Sequence, residues 1–239
     1  LAQVLEPAGP TVSPPGSFNN EIGLPLTALR TEDDTRFLVL ELGARGVGHV
    51  RDLCATAPPD VGVVLNVGSA HLGEFGSREA VATAKGELVE ALPRDGVAVL
   101  NADDPLVAAM AARTPARVLT FGTSGTADVR AVDVVVDDAA RASFTLVTPD
   151  GSAPVALQVV GAHQVSNALA AAAAATALGV APGNVAAALS AATVRSPWRM
   201  EVTTREDGVT VVNDAYNANP ESARAALESL ASLSAAATP

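Results

Sequence analysis

One glutamate, one histidine and one lysine stand where they could share divalent metal ions. Lys85 is the only lysine of the chain; the other fourteen of its fifteen Lys and Arg residues are arginine. Arginine is always charged, whereas a lysine amine can be neutralised, buried or covalently modified. A chain that writes its cations as arginine, yet keeps one lysine in Ala84-Lys85-Gly86-Glu87, has a use for an amine there, or carries a surface charge that a strong bias left behind. Glu41 closes a short apolar run in Glu41-Leu42-Gly43-Ala44. His71 follows a second run in Asn66-Val67-Gly68-Ser69-Ala70-His71. Asn101-Ala102-Asp103-Asp104-Pro105 follows a third. A carboxylate and an imidazole on adjacent strand ends could hold a divalent ion. Glutamate supplies the hard oxygen that suits Mg²⁺, and histidine is a less usual ligand for it. The same side chains also serve as helix caps, salt-bridge partners or hydrogen-bonded structural groups. Residue type alone leaves both uses open.

For these residues to meet, the runs that carry them must lie side by side. Apolar runs at 37–40, 61–65 and 97–100 alternate with helical patterns at 48–57, 77–92 and 104–113. Continuous apolar strands alternating with helices predict βαβ units and a mostly parallel sheet flanked by helices. In such open sheets, ligands gather at the carboxyl ends of the strands. From 118 to 160 the pattern changes to short valine-rich runs at 132–136, 143–147 and 155–160, which predicts a small antiparallel sheet inserted in or appended to the main one. Two alanine-rich helices follow at 164–178 and 183–192. Pro197 reads as a boundary. Strands at 201–204 and 209–213 and a helix at 221–233 come after it, too little to close a core alone.

Composition limits the function. The 239 residues fit one large domain, or one domain and part of another. Hydrophobic residues make up 49% but aromatics only 3%, so the core must be built from Ala, Val and Leu. A net charge of −11 argues against non-specific nucleic-acid binding and against an anionic membrane surface. Cys54 is the single cysteine, which excludes an intramolecular disulfide and a cysteine-cluster metal site. The longest apolar stretch, 168–181, is too short for a membrane span. No signal-peptide pattern is read, and the cytoplasm is the expected compartment. The opening Leu1-Ala2-Gln3-Val4-Leu5 reads like the last turn of a helix, so the start of the protein is expected to be missing.

Taken in order, the motifs resemble a family. Asn19-Asn20-Glu21-Ile22-Gly23-Leu24-Pro25, Glu41-Leu42-Gly43-Ala44-Arg45-Gly46, His71-Leu72-Gly73-Glu74-Phe75-Gly76-Ser77, Ala84-Lys85-Gly86-Glu87 and Asn101-Ala102-Asp103-Asp104-Pro105 are similar to the Mur ligases. Each motif is weak alone; the ordered set covers essentially the whole chain. Asn213-Asp214-Ala215-Tyr216-Asn217-Ala218-Asn219-Pro220 is similar to the signature of one branch, which joins D-alanyl-D-alanine to UDP-N-acetylmuramoyl-tripeptide in peptidoglycan precursor synthesis. The resemblance implies an ATP-dependent carbon–nitrogen ligase working through an acyl phosphate. It implies that Glu41 binds one Mg²⁺ and His71 a second, and that Lys85 is carbamylated and so becomes an oxygen ligand. It implies that Gln164 and Asn167, in Gly161-Ala162-His163-Gln164-Val165-Ser166-Asn167-Ala168, read the adenine edge. Asparagine is usual in the family where Gln164 stands. Arg199 matches an arginine near the nucleotide phosphates and Asp214 a carboxylate near the ribose. Asn19 and Asn20 match a loop that contacts the muramoyl-peptide substrate, although asparagine is favoured in turns in any case.

One departure stands out. The family's phosphate loop ends in Gly-Lys-Thr or Gly-Lys-Ser, and no G-x-x-x-x-G-K-[ST] pattern occurs here. The resemblance therefore implies a Mur ligase central ATPase domain over 1–196 that lacks its phosphate loop. It implies the truncated start of a Rossmann-like C-terminal domain over 197–239, and no ATP turnover by the chain as it stands. The alternatives are another Mur or folylpolyglutamate-synthase-like ligase, or a non-catalytic Mur-like binding module. Loss of the phosphate loop favours the module; Glu41, His71 and Lys85 together favour an enzyme.

Overall fold

A computed structural model describes residues 1–68 and 72–236. The chain opens with helix α1 (Ala2–Leu5) and strand β1 (Thr11–Val12), then α2 (Gly23–Ala28), β2 (Phe37–Leu38) and α3 (His49–Thr56). Next come β3 (Val61–Val64), α4 (Leu72–Phe75), α5 (Arg78–Glu90), β4 (Val97–Asn101), α6 (Pro105–Ala108) and β5 (Arg117–Gly122). Three long strands follow, β6 (Val129–Val136), β7 (Arg141–Thr148) and β8 (Gly151–Val160), then α7 (Gln164–Ala177) and α8 (Pro182–Ala191). The chain continues through β9 (Glu201–Thr204), β10 (Thr210–Asn213) and α9 (Pro220–Ala236).

The main sheet has the order β3-β4-β5-β6-β7-β8. β3 to β6 run parallel; β7 and β8 add on antiparallel. The valine-rich runs form the expected antiparallel unit, and it is appended to the edge of the parallel strands. β6 makes the join, pairing in parallel with β5 only at Val129 and Arg130 before it turns to β7. Helices cover both faces. In β4, Val97 and Val99 belong to the core under α7 and α8, while Ala98 and Leu100 belong to the core under α5 and α6. Alternate side chains of one strand thus enter opposite layers, which is why a doubly covered strand reads as a continuous apolar run. α7 presents Ala168, Ala170, Ala172, Ala173 and Ala175 to its core. Small side chains let that helix approach the sheet closely and compensate for the scarcity of aromatics.

The first apolar run is where the pairing differs from the sequence expectation. Only Phe37 and Leu38 form a strand, and they pair in parallel with Thr11 and Val12, outside the six-stranded sheet. The partner lies between Pro10 and Pro14, a setting without a strand signature. At the other end, β9 and β10 form an antiparallel hairpin. This last segment finds its core by leaning on the main sheet. Met200, Val202, Val212, Ala226 and Leu233 cluster with Ala140 and Val160. No helix among the described residues is long and apolar enough to cross a membrane.

Candidate functional site

Lys85 leaves the half-buried side of α5 and returns to the sheet. Its Nζ donates to the carbonyl of Asn66, just beyond β3, at 2.6 Å. Burial holds the amine below its ordinary pKa, and the negative charge of Asp104 opposes that shift. α5 forms here because Ser77 caps it, Oγ accepting from the amide of Ala80 at 3.1 Å, ahead of a run rich in helix formers.

Four side chains grip the chain that leaves β3. Asn101 Nδ2 donates to the carbonyl of Leu65 at 2.7 Å, and Lys85 holds the carbonyl of Asn66. The amide of Val67 donates to Asp104 Oδ2 at 2.7 Å, and Arg78 Nη2 donates to the carbonyl of Val67 at 2.9 Å. With its other oxygen Asp104 caps α6, accepting from the amides of Leu106 and Val107 at 2.9 and 3.3 Å. Asp103 ties the end of β4 to the end of β5, accepting from the amide and hydroxyl of Thr123 and the amide of Ser124. Burial raises its pKa, but those hydrogen bonds outweigh it and hold the carboxyl below its usual value. The segment so gripped leads directly toward His71, which lies outside the described residues.

Glu41 follows β2 in an exposed loop. Its Oε1 accepts from Asn19 Nδ2 at 2.9 Å, and the amide of Gly43 donates to the carbonyl of Asn19 at 2.7 Å. Asn19 and Glu41, expected to serve substrate and metal, are thus brought together. Asn20 is used differently: its Oδ1 accepts from the amides of Ile22 and Gly23 at 3.1 and 2.8 Å, which starts α2. The loop that begins at Glu41 ends at Gly48, with φ of +97° at the head of α3. There the amides of Gly48 and Arg51 donate to Glu87 of α5 at 2.6 and 3.1 Å. Among the described residues, no group of three or more His, Cys, Asp and Glu side chains is clustered to hold a metal ion. Glu41 itself offers carboxylate oxygens, and Lys85 lies against the carbonyl oxygen of Asn66; oxygen is the donor class that suits Mg²⁺.

A second group gathers where β8 passes into α7. Gly161 turns the chain with φ of +111°, and a Cβ there would stand 2.4 Å from His163 Cε1. In the first turn, Gln164 Nε2 lies 3.2 Å from His163 Nε2, and Asn167 Nδ2 donates to Gln164 Oε1 at 3.0 Å. Gln164 and Asn167 therefore form one linked amide pair. Burial lowers the pKa of His163, against the raising charges of Asp214 and Glu228. Asp214 also accepts from the amide of Met200 at 3.0 Å. Arg199 is engaged by an aromatic ring. Its guanidinium lies 4.0 Å from the ring centroid of Tyr216, whose hydroxyl is hydrogen-bonded to that of Ser17. Trp198 and Met200 on either side of it have φ of +61° and +49°, a strained backbone for residues with side chains.

Sequence reasoning did not single out Asp104, Glu87, His163 or Tyr216 by role. All four stood inside quoted motifs. Asp104 before Pro105 carried a helix-cap signature; the amides that Glu87 accepts from, the Ser17 hydroxyl at Tyr216, and the Asp214 and Glu228 charges that act on His163 come from distant segments that no local pattern indicates.

Comparison with known proteins places this geometry. Residues 1–175 match the Mur ligase middle domain, and residues 198–238 match the Mur ligase, glutamate ligase domain. The UDP-N-acetylmuramoyl-tripeptide–D-alanyl-D-alanine ligase of Mycobacterium tuberculosis is 56% identical over 97% of this chain and 45% of its own length. Crystal structure I of MurF from Acinetobacter baumannii superposes with a TM-score of 0.91 at 33% identity, over 97% of this chain and 50% of that one. MurF ligase from Thermotoga maritima in complex with ADP gives a TM-score of 0.84 at 32% identity, over 96% of this chain and 52% of that one. The chain spans about half the length of the curated relatives it matches.

Proposed function

The chain belongs to the Mur ligase family, and from that membership we propose that it is part of an ATP-dependent ligase of peptidoglycan precursor synthesis. The reaction joins the terminal carboxylate of UDP-N-acetylmuramoyl-tripeptide to the amine of D-alanyl-D-alanine. In this reading the γ-phosphoryl group of ATP passes to the carboxylate, the amine attacks the acyl phosphate, and phosphate leaves as the amide forms. Such chemistry asks the protein for positioning and charge neutralisation more than for covalent help. Residues 1–196 serve as the central ATPase region and 197–239 as the start of the C-terminal domain.

The observation that carries this reading is Lys85. It is a half-buried lysine whose burial favours the neutral amine, held beside the carbonyl of Asn66 and facing Asp104. A neutral amine adds CO₂ to give a carbamate and releases one proton. The product presents oxygens where an ammonium stood, and arginine cannot make it. In the proposed site Glu41, His71 and carbamylated Lys85 would hold two Mg²⁺ ions, and Asn19 orients the Glu41 carboxylate. Bound Mg²⁺ supplies neutralisation of the phosphate charge. Gln164 and Asn167 hold the adenine of ATP, Asp214 serves the ribose and Arg199 the phosphates. Asn19 and Asn20 border the muramoyl-peptide path.

In the protein at its full natural length, Lys85→Ala is expected to abolish ligation, and a small carboxylic acid in solution to restore part of it by filling the vacated oxygen site. Lys85→Arg is expected to be as inactive as Lys85→Ala, because a guanidinium repels Mg²⁺ where a carbamate attracts it. An arginine variant with a near-normal rate refutes the modification.

A further inference from the structure

Glu87 is only 4% exposed. A buried carboxylate is costly unless its charge is met. Among the described residues its ion-pair partners are none; its two oxygens take backbone amides instead, Gly48 N at 2.6 Å and Arg51 N at 3.1 Å. These amides lie at the head of α3, where helix donors lack partners. A helix is ordinarily capped by the side chain of the residue just before it. Here that residue is Gly48, which has no side chain, and the cap arrives from 39 positions away. A local cap would stabilise α3 without saying where it sits. A remote cap fixes α3 to the helix that carries Lys85.

The segment that benefits is the loop from Glu41 to Gly48. It contains Gly43, Gly46 and Gly48 and is intrinsically slack. Asn19 holds its first residue and Glu87 its last. We propose that Glu87 is a positioning residue: by anchoring the exit of this loop to α5, it sets where the Glu41 carboxylate stands relative to Lys85 and thereby tunes divalent-cation affinity. The metal part of this inference rests on the reading of Glu41 as an Mg²⁺ ligand given above; the anchoring part does not.

The test uses the full chain and four variants: Glu87→Ala, Glu87→Gln, Glu41→Gln and, as a control, Val89→Ala. Val89 is fully buried on the same helix in the apolar core between α5 and the sheet, so its truncation reports loss of stability alone. Two readouts are taken: hydrogen exchange across residues 41–51, and Mn²⁺ affinity by electron paramagnetic resonance. Glu87→Ala is expected to speed exchange in 41–51 and to weaken Mn²⁺ about tenfold, the lower end of what loss of a supporting contact costs a metal site. Glu87→Gln is expected to fall between, since an amide oxygen still accepts one bond. Val89→Ala is expected to leave both readouts near those of the unaltered chain. Unchanged exchange in Glu87→Ala overturns the anchor. Faster exchange with unchanged Mn²⁺ affinity, or equal effects in Val89→Ala, overturns the positioning role. Mn²⁺ affinity that Glu41→Gln leaves unaltered instead removes Glu41 as a ligand, and the metal part falls with it.

Discussion

Gly86 sits inside α5, where glycine normally weakens a helix, and its replacement by alanine gives a sharp test of the packing beside Lys85. A Cβ at Gly86 would lie 1.9 Å from Nη1 and 2.2 Å from Cζ of Arg113. Arg113 lies along the helix at this point: Nη1 donates to the carbonyl of Ala82 at 3.0 Å, Nη2 to that of Thr83 at 2.9 Å, and Nε to Glu90 at 2.9 Å. The clash falls on the far end of a flexible side chain, so the cost is the loss of those bonds and not a shift of backbone. Each bond to a carbonyl is worth ~1 kcal/mol at this partial exposure. The half-exposed pair with Glu90 adds only ~0.5 kcal/mol. Alanine returns ~1 kcal/mol of helix propensity. Gly86→Ala should therefore destabilise the protein by ~1.5 kcal/mol, or lower Tm by about 4 °C for a chain of this size. In an Arg113→Ala background nothing remains to clash, and the same change should stabilise by ~1 kcal/mol. Urea unfolding of the four proteins closes the cycle, with a coupling of ~2.5 kcal/mol expected between the two sites. If Gly86→Ala has the same sign in both backgrounds, Arg113 does not rest against the helix at Gly86.

His163 should make the fold pH-sensitive. Its folded pKa lies below the ordinary 6.5 because burial disfavours the cation. The unfolded chain therefore takes up its proton first, and stability should fall as pH drops through 6.5 toward the lower folded value. His163→Gln should flatten that part of the curve of unfolding free energy against pH, and an unchanged slope counts against a buried neutral imidazole. Asp104→Ala removes both the cap of α6 and the acceptor for Val67 N and should cost ~2 kcal/mol in denaturant midpoint analysis. Asp104→Asn keeps a competent cap and should cost about half as much; equal losses in the two variants would show that the negative charge, not the cap, is what α6 needs.

Much of the architecture was legible from local pattern. Apolar runs at 61–65 and 97–100 became β3 and β4 because a strand covered on both faces must be apolar at every position. The helix at 77–92 became α5 with Ser77 as its cap, a signal carried by residues three apart. The single lysine drew attention through composition, and the order of motifs carried the family. Other outcomes had no local signal. Phe37 and Leu38 found a strand partner in Thr11 and Val12, between prolines. Whether the predicted antiparallel unit is inserted in the main sheet or appended to it was decided by two residues of β6 that pair with β5. Asn19 and Asn20 are adjacent and chemically identical, yet one holds Glu41 and the other starts α2.

The sequence by itself determined most of the strands and helices of the main sheet, where several of them are capped, and which family the chain belongs to. These follow from interactions within a few residues, and periodicity and residue order record them directly. Tertiary structure alone decided that Lys85 reaches Asn66, that Glu87 caps a helix 39 residues away, and that Arg199 lies on Tyr216. Each of these depends on which buried polar group meets which across the fold. A buried donor or acceptor must be satisfied by whatever partner the packing brings within about 3 Å, and that partner is set by the assembled layers and not by its neighbours in the chain.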